Sequence, residues 1–334
     1  MRNMQFIKPV LLLIVISIIA CNNQQQKKKA ETGDKKHEIK EVFVPDFNAD
    51  TAYYFVKKQL EFGPRVPNTA SHAETAKYLA STLERFAPEV QVQEFKMRAF
   101  NRQVLNGKNI IASFNPEKKS RVLLCAHWDT RPFADHDPDP ANFNNPIPGA
   151  NDGASGVAVL LEIARQMKIN PPDIGIDIIL FDLEDYGEPE SMQSSNHNHW
   201  ALGSQYWSRN PHVINYRAKY GILLDMVGDK NAVFPKEGYS VYYAASIVDK
   251  VWNIAWEIGY DQYFINKEGA PIVDDHYFIN TIANIPTIDI IHRDESNPKG
   301  FFKHWHTMQD DIENISPDVL KAVGQVVLTT VYRE

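Results

Sequence analysis

The chain has 334 residues, of which 43% are hydrophobic and 23% are charged, and its formal net charge is −7. This composition is typical of a globular protein and excludes a disordered or collagen-like chain, while a count of only two cysteines excludes a disulfide scaffold. From residue 41 onward the chain carries 27 basic and 39 acidic residues. An acidic surface repels phosphate backbones, so nucleic acid is not an expected partner.

Residues 1–20 have the pattern of an export signal. Arg2 and Lys8 precede an apolar run of about twelve residues, which is too short to span a hydrocarbon core of ~30 Å as a helix. The run ends in Ile-Ile-Ala before Cys21, and this ending resembles the lipobox of bacterial lipoproteins, in which the cysteine carries the lipid. The resemblance implies a lipid anchor on Cys21 in the cell envelope of a Gram-negative bacterium, facing the periplasm. An ordinary signal peptide is the alternative.

A change of composition separates the signal from the body of the chain. Residues 21–45 are predicted to be a flexible tether that follows the lipid, because they are mostly polar and charged without periodicity. Residues 46–334 are predicted to form one domain, since no linker follows residue 45. Cys125 lies in the apolar run 122–126, which predicts a buried small side chain rather than a reactive thiol.

The body alternates between predicted helices and strands. Helical spacing and caps predict helices at 50–60, 71–85, 153–167, 246–258 and 316–332, with a capping box of Ser71 and Glu74 opening the second. Apolar or β-branched runs predict strands at 90–95, 109–114, 121–126, 176–181, 220–224 and 287–291. This alternation predicts an α/β fold: a three-layer sandwich with a mixed, mostly parallel central sheet and helices on both faces.

Histidine and acidic side chains fall at the carboxyl ends of these predicted strands. The set comprises His127 and Asp129 after the strand at 121–126, Glu184 and Asp185 after 176–181, Asp225 after 220–224, Asp152 at the start of a helix, and His306 in the loop after the last strand. In open α/β sheets the functional site lies outside the carboxyl ends of the strands. We therefore expect these side chains to meet at one edge of the sheet.

The ligand types predict the metal. Imidazole and carboxylate groups without thiolates favour Zn²⁺ with an open coordination position. The spacing of Asp129 from His127 lets the carboxylate hold the second ring nitrogen of the histidine. Glu184 and Asp185 are adjacent and point in different directions, so one can bind metal while the other serves as an acid or base.

Five motifs together resemble the zinc-dependent aminopeptidases and their relatives, the glutaminyl cyclases. They are His127-Trp-Asp129, Gly149-Ala-Asn-Asp152-Gly-Ala-Ser-Gly156, Phe181-Asp-Leu-Glu184-Asp185, Leu224-Asp225-Met-Val-Gly228 and Trp305-His306-Thr307. For the aminopeptidases the resemblance implies two zinc ions on His127, Asp152, Asp185, Asp225 and His306, with Glu184 as the base. For the cyclases it implies one zinc ion per chain, on Asp152, Asp185 and His306. The ligand positions alone leave both families open.

Three features favour the cyclases. The segment from Ile272 to His276 resembles the cyclase segment whose first aspartate, here Asp274, hydrogen-bonds the catalytic glutamate. An aromatic residue, Trp305, stands immediately before the zinc histidine, as in the cyclases. Residues 62–67, 126–132 and 202–207 resemble the bacterial cyclases in particular. One departure is Asp185, because the animal cyclases have a glutamate there.

The resemblance implies a glutaminyl-peptide cyclotransferase acting on peptides or proteins with an N-terminal glutamine. Glu184, Asp225 and Asp274 are then the predicted catalytic residues, and Asp275 is a cap or turn residue. Trp305 and Ile272 are the predicted substrate contacts. His127 and Asp129 are predicted either to support the zinc ligands or to bind a second metal.

Several assignments stay open at this point. Trp128 and Trp200 are candidates for the pocket wall, with core packing an equal alternative for each. His197 and His199 are predicted to be loop residues. The competing functions are a two-zinc aminopeptidase of the same fold and a lipid-anchored binding protein on an inactive peptidase fold.

Overall fold

The computed structural model describes residues 42–192, 194 and 197–334. The predicted export signal, the lipidation site Cys21 and most of the predicted tether lie outside the described residues, so those assignments and the domain boundaries remain predictions. Val42–Glu334 packs as one compact unit. No helix in the described part of the chain is long and apolar enough to cross a membrane.

The described residues form seven α-helices and eight β-strands. The helices are α1 (Ala49–Leu60), α2 (Ala70–Glu84), α3 (Ala154–Ile169), α4 (Leu202–Arg209), α5 (Gly238–Glu257), α6 (Asp275–Phe278) and α7 (Pro317–Tyr332). The strands are β1 (Glu89–Arg98), β2 (Val104–Phe114), β3 (Arg121–His127), β4 (Gly175–Phe181), β5 (Gly221–Asp225), β6 (Phe234–Lys236), β7 (Phe264–Glu268) and β8 (Thr287–Ile291). All six predicted strands and all five predicted helices are present.

The central sheet has six strands in the order β1-β2-β4-β3-β5-β8. β4, β3, β5 and β8 run parallel, while β1 and β2 form an antiparallel extension beside β4. The prediction of a mixed, mostly parallel sheet is therefore confirmed. A separate parallel pair, β6 with β7, was not predicted.

Both faces of the sheet are covered, as the apolar strands require. Along β3, Val122, Leu124 and Ala126 belong to the larger core, which includes side chains of α1, α2, α3, α5 and α7. The alternate residues Leu123 and Cys125 face a smaller core that includes Trp207 of α4. Successive side chains of a strand point to opposite faces, so a fully apolar strand needs a layer on each side. Cys125 is completely buried, as predicted.

The caps of two helices differ from the sequence prediction. α2 begins at Ala70 with Thr69 as its N-cap, whose hydroxyl accepts the backbone N–H of His72. Ser71 instead donates its hydroxyl to the carbonyl of Phe62, so the predicted capping box of Ser71 and Glu74 is wrong. α5 begins at Gly238, eight residues before the predicted start, because Glu237 caps it by accepting two backbone N–H groups.

Candidate metal centre and active-site cavity

The parallel strands deliver the predicted site residues to one edge of the sheet. His127 and Asp225 are the last residues of β3 and β5, and Glu184 follows β4 by three residues. Asp152 precedes α3, where Gly153 leaves room for the His127 ring: a Cβ on Gly153 would lie 2.6 Å from the ring atoms of His127. The ends of the strands and the start of α3 therefore determine where these side chains lie.

Asp152 lies between the two histidines. Its Oδ1 is 3.0 Å from Nε2 of His127, and its Oδ2 is 3.6 Å from Nε2 of His306. The same His127 nitrogen is 3.2 Å from Oδ1 of Asp225, and the His306 nitrogen is 3.4 Å from Oδ1 of Asp185. All five predicted ligands therefore meet at one place, as the strand-end pattern indicated.

Two fully buried, overlapping donor sets have the spacing of metal sites, next to a less buried set of Asp135, His136 and His306. Asp152, Asp185 and His306 are all buried and offer ligand atoms within 4.8 Å of one another. His127, Asp152 and Asp225 form a second set with the same property. In the first set Oδ2 of Asp185 has no hydrogen-bond partner among the described residues. Carboxylate oxygens and an imidazole nitrogen that converge in a buried space fit a divalent cation.

Burial and mutual repulsion shift the pKa values of these carboxyl groups. Burial raises the pKa of Asp185, and the nearby Asp152 carboxylate adds to the rise. Burial raises the pKa of Asp225 to about 7, against the hydrogen bond from His127. Burial also opposes the charge of Asp152, but the hydrogen bond from His127 and the charges of His127, His306 and Arg131 together outweigh it and lower the pKa. The donor sets therefore hold more carboxylate charge than the two imidazoles balance.

Glu184 lies in the cavity wall but belongs to neither donor set. Burial and then the Asp274 carboxylate raise its pKa well above the ordinary value for a glutamate. Oδ1 of Asp274 accepts the backbone N–H of Asp275, and its Oδ2 has no hydrogen-bond partner among the described residues. The charge of Asp274 therefore acts on Glu184, while the hydrogen bond between the two residues that the resemblance implied stays a prediction.

Asp129 contacts His127, as predicted, and also holds the turn after β4. Its two oxygens accept the backbone N–H groups of Glu184 at 3.0 Å and Asp185 at 3.2 Å. Its Oδ1 is 3.6 Å from Nδ1 of His127, which makes no hydrogen bond within the described residues. Asp129 therefore holds the turn that carries Glu184 and Asp185 and at the same time faces the second ring nitrogen of His127.

Three further residues support the centre and were not predicted. Oδ1 of Asp135 is 3.5 Å from Nδ1 of His306, and both Asp135 oxygens accept from the guanidinium of Arg131, at 2.8 and 2.7 Å. Asp310 accepts the backbone N–H groups of Asn151 and Asp152. A histidine that binds a metal usually has a hydrogen-bond partner on its second ring nitrogen, so the sequence could predict that such a partner for His306 exists. The sequence did not show which of the many acidic residues supplies that partner.

Aromatic side chains form the wall of the cavity. The ring of Trp305 stacks on His306 with 3.7 Å between centroids. Phe301 also stacks on Trp305, with 4.3 Å between centroids. Trp200 and Ile272 line the same cavity, whose volume is about 160 Å³. Drug-sized ligands occupy pockets of roughly 300–1,000 Å³, so this cavity suits a single side chain.

The structure also decides where Trp128 and His197 lie, and it corrects the cap assignment of Asp275. Trp128 is fully buried, stacks on His72 and donates its indole N–H to the carbonyl of Lys108, so it belongs to the core and not to the pocket. His197, predicted as an ordinary loop residue, lines the cavity. The N-cap of α6 is Asp274, whereas Asp275 is a completely buried residue of that helix.

Fold and site together define an α/β protein with a carboxylate- and histidine-rich metal centre at the carboxyl edge of its sheet. A family model for "Peptidase family M28" matches residues 109–331, more than half of the chain, and the chain belongs to that family.

The relatives of this chain have two kinds of description. A structure described as a Zn-dependent exopeptidase from Parabacteroides distasonis is 54% identical, with a TM-score of 0.86 over 87% of this chain and 100% of that one. The glutaminyl cyclase of Bacteroides thetaiotaomicron is 52% identical, with the same TM-score and the same coverage of both chains. A glutaminyl-peptide cyclotransferase of Gloydius blomhoffii is 27% identical over 66% of this chain, and the match spans 63% of that relative's length.

Proposed function

We propose that this chain is a glutaminyl-peptide cyclotransferase, which converts an N-terminal glutamine of a peptide or protein to pyroglutamate and releases ammonia. The observation that carries the proposal is the position of Glu184. It lines a small aromatic-walled cavity beside the Asp152, Asp185 and His306 donors and is not one of them. A free carboxyl group is thereby available for proton transfer next to a metal centre. The 52% identity to a bacterial glutaminyl cyclase supports the same function.

The donor set of Asp152, Asp185 and His306 fits Zn²⁺, the metal of the exopeptidase relative, and we propose one zinc ion per chain. Bound there, zinc supplies a Lewis acid for the side-chain amide oxygen of the substrate glutamine. Asp135, which Arg131 holds in place, faces Nδ1 of His306 at 3.5 Å, and Asp310 holds the backbone of Asp152. Asp129 holds the backbone of Asp185. These contacts fix the donors before substrate binds.

The proton transfer falls to Glu184. Ring closure forms a bond between the substrate's α-amine nitrogen and its side-chain amide carbon, and it breaks the bond from that carbon to the amide nitrogen. The Glu184 carboxylate takes a proton from the attacking amine and delivers it to the departing nitrogen, which leaves as ammonia. Burial and the negative charge of Asp274 raise the pKa of Glu184, which favours its holding the transferred proton, and Asp225 lines the same cavity.

The cavity supplies orientation. Nucleophile and electrophile lie in the same residue of the substrate, so catalysis depends on holding one near-attack conformation. Trp305, Phe301 and Ile272 surround the space with apolar surface and exclude water that would compete with the amine.

A two-metal aminopeptidase is the second candidate. The His127, Asp152 and Asp225 donor set favours it, as does the identity to a Zn-dependent exopeptidase. Metal counting and product analysis separate the two functions. We expect about one tightly held zinc per chain and ammonia as the only small product from a glutamine-initiated peptide. Two equally tight zinc ions with release of free glutamine would support the aminopeptidase.

We also propose that the chain is anchored by a lipid on Cys21 in the envelope of a Gram-negative bacterium and faces the periplasm. The proposal rests on the basic residues, short apolar run and Ala-Cys junction of residues 1–21. In a Gram-negative host the wild type should be recovered with membranes and Cys21→Ser in the soluble fraction. Equal distribution of the two forms would contradict the proposal.

A further inference from the structure

A second buried polar cluster lies behind the cavity wall. It consists of Glu237, Ser240, His276 and Asp289, each with 0% of its surface exposed, and we call it the Glu237 clamp. Glu237 caps α5, His276 belongs to α6, and Asp289 lies in the middle of β8. None of the four lines the described cavity or belongs to the two donor sets at the metal centre. Burying several ionisable groups together costs free energy unless they are paired or hydrogen-bonded, so this cluster calls for an explanation.

Glu237 binds the chain on both sides of Asp274. Its Oε1 accepts the backbone N–H of Ile272 at 2.8 Å, and its Oε2 accepts Nε2–H of His276 at 2.9 Å. Ile272 lies two residues before Asp274 and His276 lies two residues after it. One carboxylate therefore ties down both ends of the segment that carries Asp274 into the cavity wall.

The same segment packs directly on the start of α5. A Cβ on Gly238 would lie 2.6 Å from the backbone nitrogen of Pro271, so only glycine allows this approach. The backbone of residues 271–276 is thus held by contact as well as by hydrogen bonds.

Asp289 and Ser240 complete the clamp from the sheet. Oδ2 of Asp289 is 3.8 Å from Nδ1 of His276, and neither oxygen of Asp289 has a hydrogen-bond partner among the described residues. The Ser240 hydroxyl accepts the backbone N–H of Asp289 at 2.9 Å and donates to Glu237 at 2.6 Å. The imidazole ring of His276 consequently lies between the carboxyl groups of Glu237 and Asp289.

We infer that the Glu237 clamp is a positioning device for catalysis: it fixes Asp274 at the distance from Glu184 that the proton transfer requires. The inference rests on the proposed cyclotransferase function. Glu237, His276 and Asp289 are positioning residues, since they act through Asp274 and do not line the cavity. The ligands Asp152, Asp185 and His306 lie on other segments, so loss of the clamp leaves the zinc in place.

A double-mutant cycle between Glu237 and Asp274 tests the inference. Glu237→Gln keeps the size of the side chain, but it cannot accept from both Ile272 and His276. We expect kcat for a glutamine-initiated peptide to fall by roughly tenfold to a hundredfold, because small displacements of catalytic groups cost that much. KM should rise less than kcat falls, and zinc content should not change. In the Asp274→Asn background the same substitution should lower kcat by less than about threefold, because the two residues act as one unit.

Asp177→Asn is the matched control. Asp177 is also a buried carboxylate, held by Arg121 at the opposite end of the sheet, so its loss lowers stability without touching the site. We expect it to lower Tm and leave kcat unchanged. Equal losses of kcat from Glu237→Gln in both backgrounds, or an unchanged kcat in Glu237→Gln, would overturn the inference. Where Glu237→Gln fails to fold, Ser240→Ala replaces it in the cycle, with a smaller expected loss.

Hydrogen–deuterium exchange provides a readout that needs no turnover. Glu237→Gln should speed exchange in residues 271–278 and leave residues 181–186 unchanged, whereas Asp177→Asn should affect neither segment. A wild type that forms no pyroglutamate would contradict the proposed function, while the exchange pattern would still decide whether the clamp holds Asp274. Asp274, His276 and Asp289 also have metal-site spacing. A metal ion released by Asp289→Asn alone would overturn the inference in favour of a cation site.

Discussion

Glu184 and Asp185 are adjacent carboxyl residues with different surroundings. The backbone N–H groups of both are held by Asp129, which fixes the turn after β4. Asp185 points to His306 with 3.4 Å between the two facing atoms, while Glu184 faces the cavity and the charge of Asp274. This division supports the proposal that Asp185 binds the metal and Glu184 transfers the proton.

The first prediction separates those two roles. Glu184→Gln should retain zinc and substrate affinity but lower kcat by about 10²–10⁴-fold, because an amide of the same size cannot transfer the proton. Steady-state kinetics with metal analysis of the same samples checks it. Zinc loss from Glu184→Gln, together with zinc retention in Asp185→Asn, would show that the two assignments are reversed.

The second prediction concerns the carboxylate behind His306. Asp135 faces the second ring nitrogen of His306 and is held in turn by Arg131. Asp135→Asn should weaken zinc binding by roughly 10–100-fold, as expected for a residue that orients a metal ligand. Competition with a chelator measures the change. Asp139→Asn, an exposed cap in the same loop, is the control and should bind zinc like the wild type; equal affinity of all three proteins would contradict the role of Asp135.

At the scale of elements, the N-cap of α5 was not predicted from the sequence, and the same residue also connects α5 to α6. Glutamate is not among the favoured N-cap residues, so the sequence placed the helix start at Ser246 instead of Gly238. The helix is also interrupted at Ala244, whose backbone is non-helical, which broke the periodicity. The long Glu237 side chain caps α5 and simultaneously reaches His276 of α6.

The third prediction follows from the pKa of Glu237. Burial raises this pKa, but the hydrogen bond and charge of His276 and the hydrogen bonds from Ser240 and Tyr239 together outweigh burial and lower it from 4.5 to about 2. A carboxyl group whose pKa is lower in the folded state contributes stability above its unfolded pKa, and the contribution is lost as the pH falls towards the folded pKa. At pH 7 the contribution is about 3 kcal/mol, and it falls by about half by pH 3.

Urea unfolding of wild type and Glu237→Gln from pH 7 to pH 3 measures this effect. The difference between their free energies of unfolding should be largest at neutral pH and shrink below about pH 4.5. A difference that stays constant over the whole range would show that the carboxylate of Glu237 is not held in its charged form.

At the scale of the whole molecule, the sequence predicted most of the fold because the informative patterns are local. β3 packs against a core on each face, and its consecutive apolar residues indicate this in the sequence. The strands β6 and β7 were not predicted because they have only three and five residues, too few to show a clear alternation of apolar and polar side chains. The candidate ligands were predicted because they stand at strand ends, at a helix start or in motifs that resemble a known family. Asp135 and Asp310, in contrast, act through contacts with His306 and Asp152 that only the folded chain creates.

The fourth prediction concerns metal removal. Two extensive hydrophobic cores stabilise the chain without a metal, so a chelator should abolish activity while the circular dichroism spectrum persists. Zinc binds the folded state only, so adding zinc back should restore turnover and raise Tm with concentration. We expect saturation at about one zinc per chain. Full activity after complete metal removal would contradict the zinc-dependent reaction.

The most direct test of the central claim is mass spectrometry of a peptide with an N-terminal glutamine after incubation with the purified zinc-loaded protein. The account predicts that the peptide loses ammonia alone and keeps every residue, and that the same peptide with an acetylated N-terminus does not react because its amine cannot attack. Release of free glutamine with a peptide one residue shorter would contradict the account and identify an aminopeptidase.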